Sequence, residues 1–192
     1  HAVDVKVPGG KVAVLNNGMI AHSALKSGPP AFPRVTRHVS SGKVSSDLML
    51  PTDGLIAYIT NHQVLGMCAR SGGGGFVYWL PFKGPSTTQP RQLVGVDAKG
   101  TINFSQNLSL PAGGTVHHMT AHGDGFVMVG RITDAAGHKA WVRKHDSFGN
   151  PQWSRTFPGS HDAILHALSI PGGGLLLSGY AGDGKGPQQI SL

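Results

Sequence analysis

A repeat with a period of 49 residues constrains the fold of this chain more than any other feature. The segment VHHMTAHGDGFVMVGRI (116–132) matches ILHALSIPGGGLLLSGYA (164–181) when the second is shifted by 49 residues. The shift superposes four pairs of identical residues: His117 on His166, Gly123 on Gly172, Gly125 on Gly174, and Gly130 on Gly179. Each copy reads as an alternating strand, a glycine-containing turn and an apolar strand that ends in glycine.

The second half of the unit repeats at the same spacing. LVGVDAKGTINFSQNL (93–108) matches WVRKHDSFGNPQWSRTF (141–157). The matched positions are a turn aspartate, a turn glycine and an aromatic residue: Asp97 and Asp146, Gly100 and Gly149, and Phe104 and Trp153. In a D-x-x-G turn the aspartate side chain caps the turn and the glycine supplies a positive φ. We expect the two aromatic residues to lie in the core.

A complete unit therefore contains four short antiparallel strands, predicted at 116–121, 125–132, 140–146 and 151–157. The composition agrees with an all-β fold, because the chain has 29 glycines and 13 prolines and no glutamate, a good helix former. Four-stranded units that recur every 40–50 residues, roughly, are typical of β-propeller blades.

The pattern resembles a broad class of bacterial β-propeller repeat proteins that are exported or surface-associated. The residues that carry the resemblance are Gly123-Asp124-Gly125, Gly130, Asp146, Gly149 and Trp153. It is good over 116–192, partial over 47–108 and poor over 1–46. The resemblance implies a propeller of three to four blades and leaves the function open, because propellers host many functions.

We expect one propeller-like domain over 1–192. Its predicted parts are an N-terminal hairpin with a Pro/Ser loop (1–46), one or two degenerate blades (47–109), a complete blade (110–158) and a partial blade (159–192). In the hairpin 11–24, Gly18 answers Gly100 and His22 answers Phe104. This hairpin could complete the sheet begun by 164–181; otherwise the propeller is open, or is completed by another chain.

Two segments, 26–46 and 83–91, read as loops, and loops on a rigid scaffold often carry binding residues. The first has three prolines, five serines and the densest basic cluster of the chain. The predicted binding residues are Arg34, Arg37, His38 and Lys43 in this cluster, Arg91 in the second loop, and Tyr78 and Trp79 in FVYWLPF. The two aromatic residues would anchor a partner or a sugar ring if they are exposed.

The net charge of +7 favours an acidic partner. Nucleic acid is not favoured, because no run of Lys and Arg occurs, and no apolar stretch reaches the ~20 residues of a membrane span. The glycine-rich segments lack the Lys-Ser/Thr of a phosphate-binding loop, and no G-x-S-x-G is present. Four of the nine aspartates are assigned to turns, which leaves too few carboxylates to assign an acid/base pair for glycoside hydrolysis. We therefore predict no catalytic residue and no cofactor.

The eleven histidines are the remaining candidates for chemistry. His118 and His122 share one face of a predicted strand and could supply two zinc ligands, whereas zinc needs three or four ligands. Packing, or a hydrogen bond between neighbouring strands or blades, is the favoured interpretation. As the counterpart of His117, His166 is expected to take part in blade packing. The single cysteine, Cys68, lies in an apolar run and is expected to be buried.

The sequence predicts a non-catalytic binding module, exported to the periplasm or the cell exterior, that contacts a protein with an acidic surface. A scaffold or an inhibitor of the immunity-protein type fits this prediction. Two alternatives stay open: a lectin-like propeller that binds glycans, and a fragment or subunit of a larger propeller enzyme such as a glycan-acting hydrolase or lyase.

Overall fold

The computed structural model describes residues 12–14, 20–25, 33–39, 41, 43–49, 66–70, 75–80, 91–159 and 162–182. These residues form strands, which are β1 (Val12–Val14), β2 (Ile20–Leu25), β3 (Pro33–His38), β4 (Val44–Met49), β5 (Gly66–Ala69), β6 (Phe76–Leu80), β7 (Arg91–Val96), β8 (Ile102–Leu108), β9 (Gly114–His122), β10 (Gly125–Asp134), β11 (Gly137–His145), β12 (Pro151–Thr156), β13 (Ala163–Ile170) and β14 (Gly174–Tyr180). Within these ranges there is no helix that could cross a membrane.

The strands form antiparallel sheets in which strands adjacent in sequence are adjacent in space. Three sheets have four strands each, β1–β4, β5–β8 and β9–β12, and a fourth contains β13 and β14. The all-β prediction is confirmed. The chain divides into two compact units, residues 1–108 with the first two sheets and residues 109–192 with the last two.

The D-x-x-G turns that join the third and fourth strands of two sheets are alike in detail. Asp97 Oδ1 accepts hydrogen bonds from the amides of Lys99 (2.7 Å) and Thr101 (2.9 Å). Asp146 Oδ1 accepts the same two bonds from Phe148 (2.8 Å) and Asn150 (2.9 Å). The turn glycines, Gly100 and Gly149, have φ values of 87° and 86°. The turn chemistry predicted from the sequence is therefore present in both copies.

A third copy of this hairpin joins β3 and β4, which corrects the sequence analysis. The Val39 amide donates to the Lys43 carbonyl at 3.0 Å, as the Asp97 amide does to the Thr101 carbonyl at 2.9 Å. Each of the three hairpins also has a register shift beside the turn. The counterpart of the turn at Asp97 therefore begins at Val39, and the matches proposed for Gly18 and His22 were wrong.

The interpretation of 26–46 as a loop was also wrong, because this segment contains β3 and the start of β4. Its prolines and serines suggested a loop, yet Pro33 is the first residue of its strand, a position that tolerates proline. The β-branched Val35 and Thr36 follow it. β4 also runs across the predicted boundary between 46 and 47.

The N-terminal hairpin does not complete the last sheet. β2 pairs with β1 on one side and with β3 on the other, so the hairpin forms the first half of the β1–β4 sheet. The division of 47–109 into degenerate blades is replaced by one regular sheet, β5–β8. Within the predicted blade region 47–109, residues 47–49 belong to β4, and residues 50–65 lie outside the described residues.

The repeated glycines lie where two backbones approach closely. A Cβ atom on Gly130 would lie 1.8 Å from the Thr115 carbonyl oxygen, and one on Gly179 would lie 2.0 Å from that of Ala163. Beside each glycine the first strand carries one extra residue, His117 in β9 and Leu165 in β13. The same β-bulge and the same glycine therefore recur in both sheets.

Strand pairing changes one detail of the sequence alignment. Val129 pairs with His118, and its counterpart Ser178 pairs with His166. His166 therefore corresponds to His118, not to His117 as predicted. The offset arises because the turn between β13 and β14 is one residue longer than the turn between β9 and β10. The second strands keep the 49-residue shift, and the first strands are shifted by 48.

The β13–β14 sheet packs on one face of the β9–β12 sheet. We call this the His118 face; its residues are His118, Thr120, His122, Val127, Val129, Arg131, Ala140, Val142 and Lys144. Its apolar residues form a core with the opposing sheet, which comprises Val127, Val129, Ala140, Val142, Ile164, Ala167 and Leu177. β13 contacts β9, β10 and β11. This core fixes the positions of the polar side chains around it.

The glycine–bulge contact yields a test. We expect Gly130→Ala to lower the free energy of unfolding by about 3 kcal/mol, because a backbone carbonyl cannot move aside as a side chain can. Gly172→Ala is the control, since Gly172 has φ +89° but no atom lies within 4 Å of the position that a Cβ would take; it should cost about 1 kcal/mol. Urea unfolding measures both, and equal losses would contradict the proposed role of Gly130.

Candidate functional site

The basic cluster predicted from the sequence lies on a hairpin. Arg34, Arg37 and His38 belong to β3, and Lys43 is exposed immediately before β4. Position 37 falls on the opposite face of the strand from positions 34 and 38, because strand positions alternate. The predicted cluster therefore occupies alternating positions of β3 and, at Lys43, the connection to β4.

The other predicted binding residues are also in strands. Tyr78 and Trp79 are successive positions of β6, paired with Met67 and Gly66. Arg91 is the first residue of β7 and pairs with Leu108. Most of the predicted loop 83–91, residues 83–90, lies outside the described residues.

The two histidines considered as metal ligands contact the opposing sheet instead. His118 Nδ1 accepts a hydrogen bond from the Ala167 amide at 3.2 Å. His122 Nδ1 is hydrogen-bonded to Ser169 Oγ at 3.0 Å. In the described part of the chain, no three side chains among His, Cys, Asp and Glu form a group that could hold a metal ion. Both imidazoles therefore join β9 to β13.

A buried lysine lies near the second of these contacts. Lys144 Nζ donates to the His122 carbonyl at 2.6 Å and forms an ion pair with Asp124 at 3.1 Å. Its side chain is 7% exposed, whereas that of Asp124 is 74% exposed. A buried ammonium group requires such partners. The sequence signal for its burial was alternation, because Lys144 follows Ala140 and Val142 on one face of β11.

The arrangement around His122 does not form a hydrolytic triad. His122 contacts Ser169, but the carboxylate of Asp124 is bonded to Lys144. Burial holds the pKa of His122 below its ordinary value, and Lys144 lowers it further against the opposing effect of Asp124. In the described contacts the His122–Ser169 pair therefore has no carboxylate on the imidazole, as a triad would require, and the hydrogen bond joins the two sheets.

A second group of basic side chains lies where β9 meets β13, and we call it the basic strip: His117, His118, Arg131 and His166. The His118 and His166 rings meet edge to face with centroids 5.4 Å apart. Burial, followed by the charges of Arg131 and His166, holds the pKa of His117 below its ordinary value. The electrostatic neighbours that act on His117 are thus themselves basic.

Two nitrogen atoms in the basic strip are buried without a hydrogen-bond partner, Nε2 of His117 and Nε of Arg131. Leaving such groups unpaired is costly. With the described residues, Arg131 forms no ion pair. His166, in contrast, is exposed. The strip therefore combines an accessible imidazole with a more buried, uncompensated guanidinium group, an arrangement that favours an anionic ligand.

The repeated aromatic residues differ in their surroundings. Trp153 is 45% exposed, so the expectation that it lies in the core was wrong. It lies in β12, a strand whose residues are all exposed, and it pairs with Lys144 of β11. Phe104 is partly buried, and its ring lies over Gly95, where a Cβ atom would be 2.0 Å from the ring. The tryptophan has no glycine opposite it and stays at the surface.

Two buried titratable groups take no part in the basic strip. Burial raises the pKa of the Cys68 thiol to about 12, so this cysteine is an unreactive core residue. His145 donates from Nδ1 to the Gly149 carbonyl at 2.7 Å and stacks on Phe126 with centroids 4.9 Å apart. Its Nε2 atom is buried without a partner. Burial lowers the pKa of His145, opposed by the bond to Gly149.

Comparisons with known proteins support the fold. No protein-family model and no curated protein matches this chain. The crystal structure of a protein of unknown function from Dyadobacter fermentans is similar, with a TM-score of 0.55 and 17% sequence identity. The similarity covers 88% of this chain and 56% of that one, so this chain spans about half the length of that structure. At this identity, the similarity concerns the fold alone.

The buried neutral histidine predicts a dependence of stability on pH. The ordinary pKa of a histidine is 6.5, and that of His145 in the folded chain is lower. The unfolded chain therefore binds more protons than the folded chain as the pH falls. The contribution of His145 to the free energy of unfolding is complete above pH 6.5 and decreases as the pH falls towards the lowered pKa of the folded chain. His145→Phe keeps an aromatic ring against Phe126. In this variant the slope of the free energy of unfolding against pH, measured below pH 6.5, should decrease by up to about 1.4 kcal/mol per pH unit. Urea unfolding at several pH values measures this, and an unchanged slope would contradict the interpretation.

Proposed function

We propose that this chain is a non-catalytic, β-propeller-like binding module that contacts an acidic group of a partner protein through the basic strip. The regular four-stranded sheets and the recurrence of one bulge, one glycine and one turn support the propeller-like architecture. A scaffold or an inhibitor would use such a module. Export to the periplasm or the cell exterior stays a prediction from composition.

The observation that carries the proposal is that Arg131 and His117 are not required by the repeat. Their counterparts in the next sheet are Tyr180 and Leu165, which are uncharged. The fold therefore forms at these positions without basic side chains. In the β9–β12 sheet the two residues leave buried nitrogen atoms unpaired. A carboxylate from a partner would supply both the missing acceptor and the missing negative charge.

The net charge supports the same class of partner. The chain carries sixteen Lys and Arg residues against nine carboxylate side chains, all of them Asp. A basic surface accelerates encounter with an acidic protein and suppresses contact with another basic protein. The partly buried Arg131 would then fix the position of one acidic group, because charge pairs removed from water are stronger than exposed ones.

Binding of an oligoglutamate peptide tests this proposal. We expect Arg131→Gln to weaken binding about tenfold at low salt, and Arg155→Gln, which removes the same charge from exposed β12, to weaken it about twofold or less. Calorimetry measures the affinities, and NMR should show the His117 and His166 ring signals shifting. Equal effects of the two substitutions would show that binding follows net charge alone, and would overturn the assignment of the site.

A glycan-binding function is the second candidate, because two aromatic side chains are exposed near one turn. Phe148, which is 60% exposed, lies in the turn from Asp146 to Asn150, and Trp153, which is 45% exposed, lies in the strand that follows. Exposed aromatic rings offer an apolar face to a sugar, and the polar residues beside them can accept and donate hydrogen bonds.

A glycan array distinguishes the second candidate from the first. If the chain is a lectin, wild type binds particular glycans and Trp153→Ala loses at least about tenfold in affinity, while Arg131→Gln binds as wild type does. If no glycan binds, or if Trp153→Ala binds as well as wild type, glycan recognition at this turn is excluded.

A further inference from the structure

The β-bulge in β9 inserts a titratable side chain into the basic strip. His117 is the extra residue of this bulge, and bulges redirect the side chain that they insert. The charged groups that act on His117 from neighbouring strands are Arg131 of β10 and His166 of β13, and both are basic. No described acidic side chain is among them. The bulge itself does not require a histidine, because Leu165 takes this place in β13.

The four residues of the basic strip differ in how they can respond to a proton. Arg131 is already charged. His118 accepts the Ala167 amide at Nδ1, so a proton on that atom would break the hydrogen bond between the two sheets. His166 is exposed, and water screens the charge of its ring. His117, in contrast, has a buried Nε2 atom without a hydrogen-bond partner among the described residues.

A bound carboxylate would change the surroundings of His117 from repulsive to attractive. Burial, together with the charges of Arg131 and His166, holds the pKa of His117 below its ordinary value of 6.5. A negative charge beside the ring favours the protonated form, so binding of a carboxylate raises this pKa. Coupling between two binding events is reciprocal. A proton on His117 therefore strengthens the binding of the carboxylate by the same factor.

We propose that the basic strip binds the acidic group of its partner together with one proton, which His117 takes up. The site is then sensitive to pH, and its affinity for the acidic group increases as the pH falls. This inference rests on the proposed function, because it concerns the same site and the same acidic group. One coupled proton limits the increase to about tenfold per pH unit.

Calorimetry with oligoglutamate at constant ionic strength tests the proposal from about pH 8 to about pH 6, where glutamate stays ionised. Wild type should bind about fivefold more tightly at the lower pH. Titration in two buffers with different heats of ionisation should show the uptake of up to about one proton per complex. This measurement needs no variant, so it does not depend on how a substitution affects folding.

His117→Gln assigns the proton to its residue. The glutamine amide can donate a hydrogen bond but cannot be protonated, so this variant should bind within about twofold of wild type at the higher pH and lose most of the increase at the lower pH. His138→Gln is the matched control. His138 lies in β11 of the same sheet, where it is bonded to Thr133 at 3.0 Å, and is not among the groups that act on His117. This control removes one imidazole and should keep the wild-type pH dependence.

Two results would overturn the proposal. One is a wild-type affinity that does not increase as the pH falls, because a neutral ring would then donate to the carboxylate without taking up a proton. The other is an undiminished increase in His117→Gln, because the net charge of all histidines would then account for it. The comparison of Arg131→Gln with Arg155→Gln at the higher pH decides the proposed function separately. Absence of binding at every pH would overturn both.

Discussion

The close approach of a carbonyl to a glycine determines how one sheet of this protein packs on the next. At Gly130 the Thr115 carbonyl occupies the place of a side chain, and the extra residue His117 makes this approach possible. Beyond the bulge, His118 lies on the face that packs on β13 and accepts the Ala167 amide. Gly179 and Leu165 repeat the same backbone arrangement in the next sheet. One local constraint thus sets strand register, sheet packing and the position of the polar residues at the edge of the core.

The parts of the fold that depend on local chemistry could be predicted from the sequence. Each D-x-x-G turn is closed by hydrogen bonds within five residues, from Asp97 in one copy and from Asp146 in the other. The local sequence is therefore sufficient to predict these turns and their glycines, Gly100 and Gly149. The third copy of the hairpin escaped notice because Val39 stands where the other copies have aspartate. A constant 49-residue shift also misaligned the histidines, because strand pairing, and not chain distance, defines equivalence across turns of different length.

The exposure of the outer strand, β12, could not be predicted without knowing how the sheets pack. Trp153 was expected in the core because it aligns with Phe104, but β13 contacts β9, β10 and β11, and the apolar core of the two packed sheets does not include Trp153. Lys144, next to it in the pairing, is buried by the turn at Asp124 and by the His122 carbonyl, which the sequence does not place beside it. Whether a strand residue is covered depends on how far the next sheet extends.

The comparison of equivalent positions also indicates which side chains serve function. Where a residue recurs in successive sheets with the same contact, as the bulge glycines do, the fold explains it. Arg131 and His117 occupy positions that accept Tyr180 and Leu165 in the next sheet, so packing alone does not require a positive charge there. The buried Nε atom of Arg131 and the buried Nε2 atom of His117 have no hydrogen-bond partner among the described residues, and such unpaired atoms destabilise the folded chain. The proposed contact with an acidic group would supply the missing partners, and the described contacts give these two side chains no other role that would.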